Sequence, residues 1–208
     1  MKFKKKVKTR WHQQRLRDSF FKEAKIKGYR SRSAIKLIDI NKKFRIFKKG
    51  HNVLDIGAAP GGWSQVLSEH IYSKKLLNVI VGIDIKRIKP VKNIIFIKKD
   101  IFDKNFNDFL KKYFPRGVDL IVSDAAPSTS GNKSQDHINS LKLCQTTFKI
   151  SLNILNTGGF LILKIFQGKE IELFLNIVKE KFLSVNLYKP KSSQKKSKEI
   201  FIIAKFFK

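Results

Sequence analysis

The chain has 208 residues, of which 42% are hydrophobic, and this length and composition predict one globular domain rather than a disordered chain. Its charge is unbalanced, with 45 Lys and Arg against 16 Asp and Glu, a formal net charge of +29. Such a field attracts polyanions and favours a nucleic-acid partner. A second interpretation stays open, because 37 of the 45 basic residues are Lys, a bias that AT-rich codon usage also produces.

The cysteine content and the length of the apolar runs indicate the cellular compartment in which the protein is expected. Cys144 is the only cysteine, which excludes an intramolecular disulfide and cysteine-based zinc clusters. The segment from Met1 to Arg17 is basic and lacks the apolar core of a signal peptide. No apolar run approaches the roughly 18 residues of a membrane helix. We therefore expect a soluble, cytoplasmic monomer with no membrane partner.

Residues 1–30 form a basic segment in which aromatic side chains are interleaved, among them Phe3, Trp11 and Phe20. Basic and aromatic residues together are typical of segments that bind single-stranded nucleic acid. We interpret this segment as an RNA-binding arm, and the alternative is a solvated tail. Phe20, Ala24 and Ile26 fit one face of a helix.

From residue 31 to the end, helical and strand patterns alternate. Helices are predicted from Ser31, over Ser64–Ile71, Phe106–Phe114, Leu141–Leu155 with a stop at Gly158-Gly159, and Ile171–Phe182. Strands are predicted at Val53–Ile56, Leu77–Ile83, Ile94–Ile97, Val118–Ser123, Phe160–Phe166, Val185–Tyr188 and Ile200–Phe206. This order predicts an α/β, Rossmann-like fold: a mostly parallel seven-stranded sheet with helices on both faces and an antiparallel hairpin at one edge.

Acidic residues lie in or directly after the first four predicted strands, namely Asp55, Asp84, Asp100 and Asp124. In doubly wound sheets, ligands bind beyond the carboxyl ends of the strands. Asp84 is placed to accept hydrogen bonds from ribose hydroxyls, and Asp100 to accept one from the exocyclic amine of an adenine. Two carboxylates at successive strand ends therefore predict an adenosine site.

The turn after the first strand reads DIGAAPGGW, from Asp55 to Trp63. It differs from the dinucleotide fingerprint G-x-G-x-x-G, because Ala59 takes the second glycine position and Pro60 interrupts the turn. A pyrophosphate cradle is therefore disfavoured, and S-adenosylmethionine is the adenosine cofactor that needs none. The alternative is a tight strand-to-helix turn with no ligand.

Several motifs together resemble the FtsJ/RrmJ family of ribose 2′-O-methyltransferases, from about residue 10 to residue 205. The resemblance is carried by Asp55–Gln65, Ser31–Leu37, Ser123–Pro127, Lys164–Gly168, and Lys189-Pro190 followed by Ser192-Ser193 and Glu199. The loop from Pro190 to Lys198 departs from the family pattern, because it is rich in Lys where the family often has Arg. This difference affects RNA contacts, since a guanidinium fork and an ammonium bind phosphate differently.

The resemblance implies a division of the chain and a set of site residues. Residues 31–208 are expected to form the methyltransferase domain, with residues 1–30 as the RNA-binding segment. Cofactor contacts are expected at Gly61, Trp63, Asp84, Asp100 and Asp124. A catalytic Lys-Asp-Lys-Glu tetrad is expected at Lys36, Asp124, Lys164 and Glu199, and no metal is expected.

Lys164 lies inside the apolar run FLILKIF, where a lysine is seldom buried unless it is paired. The alternative is a strand-end lysine that reaches water. In the functional interpretation Lys164 is the general base, or positions the attacking hydroxyl, and two carboxylates hold its ammonium in place. Lys36 and the cofactor's positive charge act in the opposite direction on its protonation, so the resting state stays open.

The expected reaction is methylation of the 2′-hydroxyl of a uridine in the A-loop of 23S rRNA, on the large ribosomal subunit. Within RNA enzymes the alternative is a 2′-O-methyltransferase of tRNA or of an mRNA cap. From another class, a non-catalytic RNA-binding protein of ribosome assembly has the same charge and fold. A methyltransferase of small molecules or protein side chains would leave the +29 charge unexplained.

Other conspicuous residues are assigned structural roles. The four histidines lie in unconnected contexts, which argues against a His-based mechanism. Asp136 and His137 are interpreted as helix-capping and surface residues. Gly168 is interpreted as a turn former.

Overall fold

The computed structural model describes residues 18–128, 130–194 and 196–208. Its helices are α1 (Ser19–Ile26), α2 (Ser33–Phe44), α3 (Gly62–His70), α4 (Phe106–Lys111), α5 (Lys133–Ile154) and α6 (Ile171–Lys181). Its strands are β1 (Val53–Ile56), β2 (Ile80–Asp84), β3 (Ile95–Lys98), β4 (Val118–Ser123), β5 (Leu155–Phe166), β6 (Phe182–Tyr188) and β7 (Glu199–Phe207).

The seven strands form one sheet in the order β3-β2-β1-β4-β5-β7-β6. Five neighbouring strands are parallel to one another, namely β3, β2, β1, β4 and β5. Strand β7 runs antiparallel to both β5 and β6. The predicted fold class and the antiparallel edge hairpin are therefore confirmed. The strand order reverses between β1 and β4, and at such a point the loops diverge and leave a crevice beyond the strand ends.

Each face of the sheet is covered by a separate apolar layer. Helices α4, α5 and α6 pack on one face, and their buried residues include Phe106, Phe148 and Phe174. Helices α2 and α3 pack on the other face around Trp63 and Phe201. The central strands are rich in Val, Ile and Leu because parallel strands covered on both faces bury every side chain.

Helix α5 begins earlier than its hydrophobic pattern predicts, at Lys133 rather than at Leu141. The Asn132 side chain caps it by accepting hydrogen bonds from the N–H groups of Ser134 and Gln135. The first turns are largely polar and carry no apolar stripe, so only the cap indicates the start. Neither this helix nor any other in the described part of the chain is long and apolar enough to cross a membrane.

Two strand starts show how glycine and loop geometry shift a boundary from its predicted place. Strand β5 begins at Leu155, so the predicted Gly158-Gly159 stop lies within the strand. Strand β2 begins at Ile80 rather than at Leu77, which has a φ of 51° and is 82% exposed.

Helix α1 packs on the domain through one side chain of the face that the sequence suggests. Asp18 caps it by accepting hydrogen bonds from Phe20 N and Phe21 N, and Ala24 is buried. Ile26 is 86% exposed, so its predicted place on the buried face is wrong. Phe3 and Trp11 of the basic segment lie outside the described residues.

Candidate active site

A cleft of about 580 Å³ opens at the carboxyl ends of the parallel strands. Four of the predicted site residues line it, namely Asp84, Asp100, Asp124 and Lys164. They come from four different strands or the loops that follow them, and the parallel arrangement brings their ends to one edge of the sheet.

The glycine turn after β1 is shaped by contacts within the protein. Gly57 has a φ of 75°, and a Cβ there would lie 2.6 Å from the Cα of Ala125, so only glycine lets these two loops approach. At Gly61 and Gly62 the space for a Cβ is occupied by the side chains of Arg30 and Ser31. These two glycines therefore allow the protein's own side chains to pack directly against the turn.

Arg30 ties the loops at this side of the cleft together. Its guanidinium donates hydrogen bonds to the carbonyl oxygens of Pro60, Lys89 and Pro90. Such a planar fork with several donors suits this task better than a lysine ammonium. The sequence analysis missed Arg30, although an arginine is informative in a chain with only 8 of them.

Asp84 and Asp100 are held by backbone N–H groups. Asp84 accepts from Ala59 N at 2.9 Å and from Lys86 N at 2.8 Å, and Asp100 accepts from Phe102 N at 3.0 Å. Each carboxylate oxygen has two lone pairs, so acceptor capacity remains for a ligand's hydroxyl or amine. Together with the apolar side chains of Ile101 and Phe102 in the wall, they fit an adenosine.

Trp63 and Gly61 do not present a side chain to the cleft. The Trp63 indole is buried, donates from Nε1 to the Ser33 carbonyl at 2.8 Å and packs 5.8 Å from the Phe201 ring. Any cofactor contact of these two residues therefore falls to their backbone, at the first turn of α3.

Lys164 and Asp124 form a largely buried ion pair at the wall of the cleft. Nζ lies 2.9 Å from the Asp124 Oδ1 and also donates to the Asp124 carbonyl oxygen. The two side chains are 10% and 16% exposed, so both contacts are well shielded from water. The buried lysine is thus paired, as its place in an apolar strand requires.

Lys36 and Glu199 form a second ion pair, with 2.6 Å between Nζ and Oε1. In the antiparallel register Lys164 faces Phe201 and Phe166 faces Glu199, so Glu199 and Lys164 lie on the same face of the sheet. The four predicted catalytic residues therefore form two adjacent ion pairs, Lys164 with Asp124 and Lys36 with Glu199. The expectation that two carboxylates hold Lys164 is corrected, because Glu199 binds Lys36 instead.

Asp55 lies beneath the site and was not assigned a contact by the sequence analysis. Its side chain is fully buried and accepts a hydrogen bond from Ser64 Oγ at 2.6 Å. The pKa of this carboxyl is raised to about 7, chiefly by burial and less by the nearby charges of Asp124 and Asp84, while the hydrogen bond from Ser64 acts in the opposite direction.

Ser192 joins the loop before β7 to helix α2. Its N–H and its hydroxyl donate to Asp39 at 3.3 and 2.9 Å, and its carbonyl accepts from the Arg32 guanidinium, which also pairs with Asp18. Ser192, in the Lys-rich loop from Pro190 to Lys198, is thus held by both Asp39 and Arg32. The sequence analysis missed Arg32 and Asp39, whose partner lies about 150 residues away in the chain.

The interpretation of His137 as a surface residue is wrong, whereas Asp136 lies in the first turn of α5 and accepts from Ser130 N and Oγ. His137 is only 3% exposed. Gly168 has no φ in the left-handed region, and a Cβ there would overlap with the His137 ring. This glycine lies directly before the turn at residues 169–170 and also makes room for the imidazole.

Comparison with known proteins extends these observations. The profile of the FtsJ-like methyltransferase family matches residues 29–207. The ribosomal RNA large subunit methyltransferase E of Rickettsia bellii is 40% identical over 198 residues, which cover 94% of this chain and 87% of the relative. The protein of the same name from Rickettsia akari is 39% identical over 196 residues, which cover 93% of this chain and 86% of the relative.

Solved structures agree in fold. A candidate ribosomal RNA methyltransferase from Plasmodium falciparum superposes with a TM-score of 0.77 at 36% identity, over 86% of this chain and 98% of that chain. Human methyltransferase-like protein 13, solved in complex with SAH, superposes with a TM-score of 0.52 at 13% identity, over 75% of this chain and 72% of that chain. The second similarity shows the fold alone.

The family match covers the sheet, all helices after α1 and both ion pairs of the cleft. The wall of the cleft carries the carboxylates and apolar side chains that fit an adenosine. This chain belongs to the FtsJ-like methyltransferase family, and its cofactor is S-adenosylmethionine.

Proposed function

We propose that this protein methylates the 2′-hydroxyl of a uridine in the A-loop of 23S rRNA, on the large ribosomal subunit. The coarser part, methylation of large-subunit rRNA, is supported by the names of the two Rickettsia relatives. The choice of a ribose hydroxyl is supported by one observation above all: the Lys164–Asp124 pair stands at the cleft wall beside the Lys36–Glu199 pair.

We assign cofactor binding to the loops at the strand ends. Asp84 and Asp100 accept hydrogen bonds from the adenosine, Asp124 contributes from β4, and Gly61 and Trp63 contribute backbone groups. S-adenosylmethionine supplies an electrophilic methyl group to the reaction. The protein's own task is then to hold a ribose hydroxyl in line with that group and to remove its proton.

Lys164 performs both parts of that task in this proposal. Nζ lies 2.9 Å from the Asp124 carboxylate and donates to the Asp124 carbonyl oxygen, which fix its position, and in the neutral amine its lone pair is available to a ribose hydroxyl. Only the neutral amine accepts a proton. Asp124 stabilises the ammonium that results, so the pair favours the state after proton transfer.

Lys36 and Glu199 complete the acceptor side of the site. Their pair is nearly closed to water, with both side chains about one-tenth exposed. Because Lys36 neutralises Glu199, this second carboxylate does not compete with Asp124 for Lys164. We assign Glu199 a role beside the ribose that Lys164 binds, because the two residues lie on the same sheet face.

We infer that RNA approaches over α1, α2 and the loop before β7. Lys22 and Lys25 of α1 and Lys27 directly after it are exposed, and so are Lys191, Lys196 and Lys198 of the loop. The acidic groups of this region are engaged, Asp18 by Arg32, Asp39 by Ser192 and Glu23 by Lys27. Residues 1–30 accordingly act as the RNA-binding segment of the methyltransferase domain, residues 31–208.

The experiment is transfer of isotope-labelled methyl groups to large ribosomal subunits from a strain that lacks the enzyme, with tRNA and capped mRNA in parallel. Mass spectrometry of nuclease fragments then locates the label. We expect one 2′-O-methyluridine in the large-subunit rRNA and an unmodified base. Lys164→Ala should lower the turnover by roughly 10²–10⁴-fold while cofactor and RNA still bind.

Four results would contradict the proposal. Label in tRNA or in the cap, with large subunits unlabelled, would move the substrate to another RNA. Label on a base would show that the ribose hydroxyl is not the methyl acceptor. Binding of large subunits without transfer to any RNA would indicate a non-catalytic assembly protein. Near-normal turnover of Lys164→Ala would remove this lysine from the mechanism.

A further inference from the structure

Strand β5 extends beyond the strand next to it at the point where it carries Lys164. The last paired residues of β4 and β5 are Ser123 and Leu163, and β4 ends there. Strand β5 continues to Phe166. In a parallel pair, alternate residues direct their N–H and C=O groups to the same neighbour, so residues 164 and 166 of β5 face the side that β4 has left.

Helix α5 provides side chains where the strand partner is missing. Cys144 Sγ donates to the Lys164 carbonyl at 3.0 Å. Phe166 N donates to Ser140 Oγ at 3.1 Å, and the Phe166 carbonyl lies 2.7 Å from His137 Nδ1. Positions 137, 140 and 144 lie on one face of a helix, and all three residues are at most 3% exposed.

The His137 ring lies between the end of β5 and Glu170, the residue before α6. Because Nδ1 faces a carbonyl oxygen, it carries a hydrogen, and Nε2 lies 2.7 Å from the Glu170 carboxylate. Ser140 Oγ donates to the backbone carbonyl of His137 at 2.8 Å. The missing Cβ of Gly168 gives the ring its space. The imidazole thereby connects α5, the end of β5 and the start of α6.

We propose that His137, Ser140 and Cys144 replace strand β4 as the hydrogen-bond partner of β5 and thereby position Lys164. Buried backbone groups need partners, so loss of these side chains would shift the end of the strand. Lys164 Nζ would move with it, and small displacements of a reacting group are costly to the rate. This inference rests on the proposed role of Lys164, which touches the substrate, whereas these three residues act through it.

The first test compares two substitutions of His137. His137→Leu removes both polar contacts, whereas His137→Asn places an amide N–H close to the position of Nδ1. We expect His137→Leu to lower kcat by roughly tenfold or more, with the cofactor Kd and the RNA KM within about twofold of the wild type. His137→Asn should recover most of the lost kcat. Lys169→Ala, an exposed neighbour, is the control.

A second test uses Gly168, which carries no polar side chain. Gly168→Ala should displace the ring and lower kcat in the wild-type background. In a His137→Ala background the added methyl group has room, so the same substitution should have no further effect. This non-additivity separates a contact with His137 from a general weakening of the fold.

Amide hydrogen exchange gives a readout that does not depend on activity. Ser140→Ala removes the acceptor of Phe166 N, and the exchange of that amide should accelerate while central amides of β5, such as that of Ile162, stay protected. An unchanged Phe166 exchange rate, unchanged kcat in folded His137→Leu, or equal losses in His137→Leu and His137→Asn would each overturn the inference. An inactive wild type with the expected exchange pattern would instead contradict the proposed function alone.

Discussion

Asp55 is a buried carboxyl whose ionisation opposes folding. Its pKa in the folded protein is about 7, against an ordinary value of 3.8, chiefly because burial disfavours the charged form. Between these two pH values the folded protein retains a proton that the unfolded chain has released. The contribution of Asp55 to the free energy of unfolding therefore falls as the pH rises from about 4 to about 7. Above that pH it changes little.

Asp55→Asn should remove this pH dependence, because the amide stays neutral and still accepts from Ser64. Relative to the wild type, the variant should gain stability as the pH rises, by roughly 2–4 kcal/mol between pH 4 and 8. Urea unfolding at several pH values measures the difference. Asp108→Asn, at an exposed site, is the control. A constant difference between the two proteins across this range would show that Asp55 does not titrate there.

Cys144 is the one thiol of the chain, and burial raises its pKa to about 12. Because the thiolate is the reactive form, iodoacetamide at pH 8 should leave the folded protein unlabelled for hours and modify it rapidly in urea. Intact-protein mass spectrometry follows the reaction. Fast labelling of the native protein would mean that α5 separates from β5 far more often than the closed packing implies.

At the scale of elements, helix α2 is an organising element for the acceptor side of the cleft. From one helix and its cap, Lys36 pairs with Glu199, Asp39 accepts from Ser192, and Arg32 donates to the Ser192 carbonyl. The loop between β6 and β7 is thus tied to α2 just before Glu199. The geometry of the basic loop therefore depends on a helix distant in sequence.

Asp39→Ala should release that loop without affecting the cofactor side of the cleft. Loss of hydrogen bonds to a charged acceptor is worth about 1.5–3 kcal/mol, and we expect RNA affinity to fall by roughly tenfold. The cofactor Kd should stay the same, since Asp84 and Asp100 are untouched. Filter binding and calorimetry measure the two affinities, with Asp108→Ala as control. Equal losses of both affinities would indicate a general defect of folding.

Over the whole molecule, the net charge of +29 is unevenly distributed. Helix α6 and its N-cap carry Glu170, Glu172 and Glu180 close to their basic residues, whereas the loop before β7 has exposed lysines and no acidic residue before Glu199. Charge of one sign on one region directs a polyanion to that region. Codon bias alone would have no reason to produce this arrangement.

Replacing Lys191, Lys196 and Lys198 by Gln should reduce the slope of log Kd against log salt concentration by roughly 2–3. When a phosphate contact is lost, RNA binding releases fewer counterions, and the slope decreases for this reason. The control replaces three lysines near α4, Lys104, Lys111 and Lys112, and removes the same charge from the far face. Equal slopes for the two triple variants would support the codon-bias interpretation of these lysines.

Local patterns in the amino-acid sequence were sufficient for the fold class and for the three carboxylates that line the cleft. The alternation of helix and strand determines a doubly wound sheet, and parallel strands bring Asp84, Asp100 and Asp124 to one edge whatever the side-chain details. The glycine turn is equally local, because the backbone of Gly57 must adopt a positive φ. The start of α5 was predicted too late, because its cap at Asn132 was the main signal for it.

Tertiary packing decided which groups meet. Glu199 pairs with Lys36 rather than with Lys164, Trp63 turns its indole into the core, and His137 is buried behind the end of β5. The partners in these contacts are separated by tens to more than a hundred residues, so no local pattern specifies them. Their geometry follows from strand register and from how far β5 extends beyond β4, which only the assembled sheet determines.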